Sequence, residues 1–241
     1  DLRYVRFAIE LLDVMLSPKM WTHLGDNGGT MIRAIFLDRD GVIGENRRDH
    51  VKSWDEFRFL PGVFEAFRAL QQAGWPIFVV TNQAIVNRGM VHAHVIDDIH
   101  ERMVREIEQH GGEIKDIRYC PHDSHEQCGC RKPRAGMLFD LAHQWRIDLT
   151  GSYMIGDAWT DIAAGFEAGC HTVLVRSGRG AEQLQLPEMY HVPAHFVADH
   201  LAHAVTWILQ REHLLTSHVV EAQALPSTLE LSQLHALPTT L

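Results

Sequence analysis

The chain has no run of 18 apolar residues, so no membrane-crossing helix is expected. Cysteine is scarce, four in 241 residues, which excludes a disulfide scaffold. Positive charge is in deficit. Lys and Arg number 22 against 31 Asp and Glu, a net charge of −9, which argues against a nonspecific nucleic-acid binder. An anionic substrate would need that charge offset locally. The first twenty residues lack a basic start and a small-residue cleavage site, and Glu10 and Asp13 interrupt their apolar part, so they make a poor signal peptide. No internal repeat is visible. What is present, 46% hydrophobic and 22% charged residues, is the composition of an ordinary globular protein. A cytoplasmic monomer with no nucleic-acid or membrane partner is the expectation.

At ~150 residues per domain the length allows one large or two small domains. Residues 1–30 form an N-terminal extension, read either as a leader outside the fold or as a short amphipathic helix packed on it. Gly25-Asp26-Asn27-Gly28-Gly29 is a flexible break, and Met31 just after it is a candidate translation start. Residues 31–210 form the folded domain. Residues 211–241, with Pro226, Pro238 and leucines in no clear period, read as a partly disordered tail.

Within the domain, short apolar runs alternate with helical patterns. Strands are expected at Ile32–Leu37, Ile77–Val80, Ile114–Tyr119, Tyr153–Ile155, His171–Val175 and Phe196–Val197. Helices are expected from Pro61-Gly62 to about Ala73, and at His92–His110, Met137–Trp145, Ile162–Ala168 and His200–Leu209. This alternation predicts an α/β fold: a Rossmann-like, three-layer parallel sheet with helices on both faces.

Ligands of such sheets bind beyond the carboxyl ends of the strands. Strand one ends in Asp38-Arg39-Asp40-Gly41 and strand two in Thr81-Asn82-Gln83. The 153–155 strand ends in Gly156-Asp157, with Asp161 four residues on, and Lys132 precedes a helix. Close carboxylates repel unless a cation lies between them, and Mg²⁺ with oxygen ligands suits Asp38 and Asp157. A carboxylate can act as a nucleophile toward phosphorus, and a second one two residues away can give and take protons. Lys132 and the metal would neutralise a transferring phosphoryl group, while Thr81 and backbone N–H groups bond its oxygens.

Cys120, His122, Cys128 and Cys130 supply three thiolates and an imidazole, the ligand set of a closed, structural Zn²⁺ site. It would pin a loop poor in apolar residues, and Arg131-Lys132 follow its last ligand directly. His125 is a spare, and Cys170 reads as an inert core cysteine.

The ordered set Asp38-Arg39-Asp40-Gly41, Thr81-Asn82-Gln83, Arg131-Lys132-Pro133 and Gly156-Asp157 with Asp161 resembles the four signatures of the haloacid dehalogenase (HAD) superfamily. That resemblance spans Ile32 to about Leu209 and implies a Mg²⁺-dependent phosphatase working through an aspartyl-phosphate. It makes Asp38 the nucleophile and Asp40 the general acid/base. Thr81 and Lys132 hold the phosphoryl group, Asn82, Gln83 and Arg131 bind substrate, and Asp38, the Asp40 carbonyl and Asp157 ligate the magnesium. Asp161 either supports the metal or positions Lys132.

The zinc loop resembles one capless branch, that of the heptose-bisphosphate phosphatases and histidinol-phosphatases. No second domain fits between Asp40 and Thr81. The runs Val51–Gly62, Asn87-Arg88-Gly89 and Ser152–Asp157 look like the heptose enzymes. Ala84-Ile85 in place of Ser-Gly, and Val42 where threonine is common, depart from them and leave the sugar open. The substrate expected is a small phosphorylated sugar.

Overall fold

The computed structural model describes residues 30–224, with side chains for residues 30–213. The leader or amphipathic helix expected over 1–29 and the tail expected over 225–241 lie outside the described residues, while 211–224, expected in that tail, continue a helix instead.

Six strands form one parallel sheet: β1 (Ile35–Leu37), β2 (Ile77–Asn82), β3 (Asp116–Cys120), β4 (Tyr153–Gly156), β5 (His171–Val175) and β6 (Phe196–Ala198). Their order is β3-β2-β1-β4-β5-β6. The order reverses between β1 and β4, which opens a crevice at their carboxyl ends. Register there is fixed by Leu37 opposite Val79 on one side and Ile155 on the other.

Alternation along each strand sends side chains to two cores. Ile35, Leu37, Ile77, Val79 and Ile155 face one core. Against it pack α1 (Val63–Gln72), α2 (Ala93–Gln109) and α7 (Leu201–Ala224). Phe36, Phe78, Val80 and Met154 face the other, covered by α3 (Gly136–Trp145) and α4 (Trp159–Glu167). Both faces are therefore buried, as the near-continuous apolar strands require. The short helices α5 (Gly180–Gln183) and α6 (Glu188–His191) fill the β5–β6 connection, a stretch in which no helix was expected. Among the described residues no helix is long and apolar enough to cross a membrane.

Two helix boundaries differ from expectation. Helix α4 begins at Trp159 rather than Ile162, because the Asp161 carboxylate accepts the Ala158 N–H (3.0 Å) and closes the first turn. Helix α7 runs past Leu209 to Ala224. Its Glu212 accepts hydrogen bonds from Tyr153 Oη and from Arg33, both at 2.5 Å, so the helix is tied to the sheet beyond its apolar stripe.

Between β1 and β2 the chain makes no second domain. Residues 41–62 form a tight flap: Gly44 bridges to Asp40 and Phe59, and Trp54–Glu56 make one 3-10 turn. Capless architecture follows, with the crevice roofed only by loops.

Candidate active site

Parallel pairing sets Leu37 and Ile155 side by side, so Asp38, one residue past Leu37, and Asp157, two residues past Ile155, enter one crevice from adjacent strands. Asp161 joins them from the first turn of α4. The three present carboxylate oxygens within 4.8 Å of one another, and all three are buried. Burial, then the charge of Asp38, raises the pKa of Asp157. Asp161 is pushed up to about 7 by burial and by both neighbouring carboxylates, against the pull of Lys132. Carboxylates that raise one another this way are a donor set short of positive charge, and hard oxygen ligands at this spacing fit Mg²⁺.

Part of the missing charge is Lys132, only 2% exposed. Its Nζ lies 2.9 Å from Asp38 Oδ1 and 2.6 Å from Asp161 Oδ1, and donates to the Val80 carbonyl at 2.6 Å. Burial pulls its pKa down. The two carboxylates reverse that and raise its pKa. Both oxygens of Asp161 are engaged, one by Lys132 and one by the Ala158 N–H.

Asp157 is walled by missing side chains. A Cβ at Gly41 (φ 90°) or at Gly178 (φ 61°) would overlap Asp157 Oδ2. Both positions need the left-handed backbone that glycine adopts freely. The same oxygen accepts from Asn46 Nδ2 (3.1 Å) and the Arg179 N–H (2.8 Å).

Asp40 stands beside this cluster. Arg39 grips it with a fork, Nε to Oδ1 at 3.1 Å and NH2 to Oδ2 at 2.8 Å, and Gln83 Nε2 adds 2.9 Å to Oδ2. Burial would raise the Asp40 pKa, but the Arg39 charge and these bonds hold it below its usual value. Thr81 is buried at the end of β2, and its Oγ1 accepts from Gln83 Nε2 at 3.0 Å.

The cysteine–histidine loop begins where β3 ends. Cys120, His122, Cys128 and Cys130 have Sγ and Nδ1 atoms 3.3–3.5 Å apart along the five edges measured between them. A tetrahedral zinc with Zn–S of about 2.3 Å needs edges of roughly 3.5–3.8 Å. The sulfurs are unpaired as disulfides. Burial, then its sulfur neighbours, raises the Cys120 thiol and burial raises Cys130, while at Cys128 burial is outweighed by hydrogen bonds that lower it, so thiolates at Cys120 and Cys130 call for a cation. The four residues fit Zn²⁺ with no position left over.

Loop and crevice are joined. Asn82 spends both ends of its amide on the backbone of Lys132: Nδ2 to the carbonyl at 3.0 Å, Oδ1 from the N–H at 3.1 Å. Arg88 forks onto Asp123 at 2.7 and 2.9 Å, and Asn87 donates to Glu126 at 3.0 Å. Arg131 NH1 donates to the His122 carbonyl at 3.0 Å. Asn82 and Gln83, expected to face substrate, therefore turn to Lys132 and to Asp40 with Thr81. Sequence reasoning missed Asn46 and Arg179. The end of β5, where Ser177-Gly178-Arg179 stands, was the signal for Arg179, since every strand's carboxyl end faces the crevice.

A HAD-hydrolase-like family model matches residues 129–204. The chain is 39% identical over 153 residues to the D-glycero-beta-D-manno-heptose-1,7-bisphosphate 7-phosphatase of Pseudomonas aeruginosa, covering 64% of this chain and 86% of that one. It is 39% identical over 160 residues to the Bordetella bronchiseptica protein of the same name, covering 65% and 89%. Among solved structures, the B. bronchiseptica D,D-heptose 1,7-bisphosphate phosphatase complexed with magnesium and phosphate superposes with TM-score 0.69 at 37% identity, over 75% of this chain and 99% of that one.

Proposed function

The chain belongs to the HAD-like phosphatase family of the D-glycero-beta-D-manno-heptose-1,7-bisphosphate 7-phosphatases, and from that premise we propose that it removes the 7-phosphate of this sugar bisphosphate. The observation that carries the reading is Lys132 Nζ held 2.9 Å from Asp38 Oδ1 inside a cluster of three buried carboxylates.

Asp38 attacks phosphorus. The new P–O bond to its carboxylate forms as the bond to the sugar oxygen breaks, giving an aspartyl-phosphate. Asp40, once protonated, supplies that proton to the leaving oxygen. It then takes one from the water that attacks the aspartyl-phosphate, releasing inorganic phosphate and restoring Asp38. Lys132 offsets charge on the transferring group, with Thr81 Oγ1 at its edge. Asp161 positions Lys132. Asn82 holds the backbone of Lys132, Gln83 holds Asp40, and Arg131 faces the anionic far end of the substrate.

Asp38, the Asp40 carbonyl and Asp157 would hold Mg²⁺, which when bound supplies positive charge to the phosphoryl oxygens. Cys120, His122, Cys128 and Cys130 would hold Zn²⁺, which supplies folding free energy to the loop that carries Lys132. We also propose that it acts as a cytoplasmic monomer.

The test is phosphate release from heptose 1,7-bisphosphate and from histidinol phosphate, with metal content measured on the same sample. A higher kcat/KM for the heptose ester, abolished in Asp38→Asn, supports the reading. Activity surviving in Asp38→Asn removes the covalent route, and a preference for histidinol phosphate removes the substrate.

A further inference from the structure

Arg39 lies between Asp38 and Asp40 in sequence, yet its side chain is fully buried. A buried guanidinium must spend its donors on fixed acceptors, since it has no neutral form to fall back on. Two go to Asp40, as the fork described above. A third, NH1, meets His100 Nε2 at 3.1 Å. Arginine cannot accept, so Nε2 of His100 is the unprotonated nitrogen and its proton sits on Nδ1.

His100 lies on the core-facing stripe of α2 with Ile96, Ile99 and Met103, and its ring meets Tyr119 edge to face at 5.6 Å. It is 6% exposed. A polar ring on a helix's apolar face is costly unless paired, and its partner here is Arg39. The arrangement is a rigid arm: helix α2, imidazole, guanidinium, carboxylate. The other end of the carboxylate is closed by Gln83.

We propose that His100 and Arg39 are positioning residues for Asp40, holding its carboxylate where it takes the proton of the hydrolytic water. This rests on the reading of Asp40 given above. In that step the bond from phosphorus to Asp38 breaks as the bond from phosphorus to water forms. The electron pair returns to Asp38, and the proton of the water goes to Asp40. Forming the aspartyl-phosphate from an ester with a good leaving group needs no such proton transfer. The arm therefore serves one half-reaction and can be separated from the other.

The experiment is a single turnover of p-nitrophenyl phosphate with the magnesium- and zinc-loaded full chain in excess. Nitrophenolate appearance reads attack by Asp38, and phosphate release reads hydrolysis of the aspartyl-phosphate. In His100→Leu the first rate stays within about twofold, and the second falls by roughly ten- to a hundredfold, the scale of a misplaced catalytic group. His100→Gln, whose amide oxygen can accept from Arg39, restores most of it. Arg39→Lys, which keeps the charge but loses the fork, shows the same split and serves if His100→Leu does not fold. A parallel fall of both rates makes the role merely structural and overturns the proposal, as do unchanged rates. If the unaltered protein cleaves neither this ester nor heptose bisphosphate, the reading of the site fails first, and the arm falls with it.

Discussion

The acidic cluster and the cysteine–histidine loop both gather ligands for a cation, but from opposite starting points. The carboxylates of Asp38, Asp157 and Asp161 sit on the ends of rigid, fully packed elements. They would hold their places without a metal, at the cost of mutual repulsion, and the cation corrects excess charge. The loop from Cys120 to Cys130 has one short 3-10 turn and little apolar content, and the cation replaces a core it lacks. One site has a fold and needs charge, while the other has ligands and needs a fold. They meet at Lys132, two residues past Cys130 and 2.9 Å from Asp38.

Mutations separate the two roles. Asp38→Asn should lower turnover by roughly 10⁴-fold or more, the scale seen when a nucleophile is removed, with the melting temperature nearly unchanged. A large loss of stability there would contradict the picture of a pre-formed cluster. Cys128→Ser should do both, lowering turnover and the melting temperature together, at about 2–4 °C for each kcal/mol lost. Zinc content by mass spectrometry and scanning calorimetry on one preparation check it. Intact activity in the zinc-free variant would uncouple loop from crevice.

Asn82→Ala tests the join itself. It removes two hydrogen bonds to the Lys132 backbone, each worth about 1 kcal/mol. We expect kcat to fall about tenfold with zinc content preserved, and unchanged kcat would show that Cys130 alone fixes the lysine.

The last effect concerns acid. Burial, then the charge of Arg39, lowers the His100 pKa to about 3, against about 6.5 in the unfolded chain. The unfolded state thus binds the extra proton between those values. The stabilising contribution is complete above about pH 6.5 and drains away as pH falls toward 3. His100→Gln lacks this loss, so its melting temperature should gain on that of the unaltered protein as buffers are made more acidic. Parallel curves would show a protonated, exposed ring.

Much of this was legible because a parallel sheet is simple to read. Apolar runs of two to six residues marked the strands, and acid at their ends marked Asp38, Asp40 and Asp157. The zinc ligands stood out by spacing alone. Less was legible where the partner is remote in sequence. Asn46 reaches Asp157 from a loop whose path no local pattern encodes, whereas Arg179 stands just past the end of a strand. Asn82 and Gln83 carry amides that bond equally well inward or outward, and only packing decides. The start of α4 was hidden because Trp159-Thr160-Asp161 has no apolar period, its turn being closed by the Asp161 carboxylate. The far half of α7 was hidden because Glu212, a polar residue, anchors it.

The two bare positions flanking Asp157 carry a last lesson. Because Gly41 and Gly178 come from connections after different strands, the breathing space around that oxygen is shared property, kept only while neither segment grows a methyl group. A lone alanine at either place would crowd out the carboxylate itself, leaving every other named side chain in the crevice chemically intact.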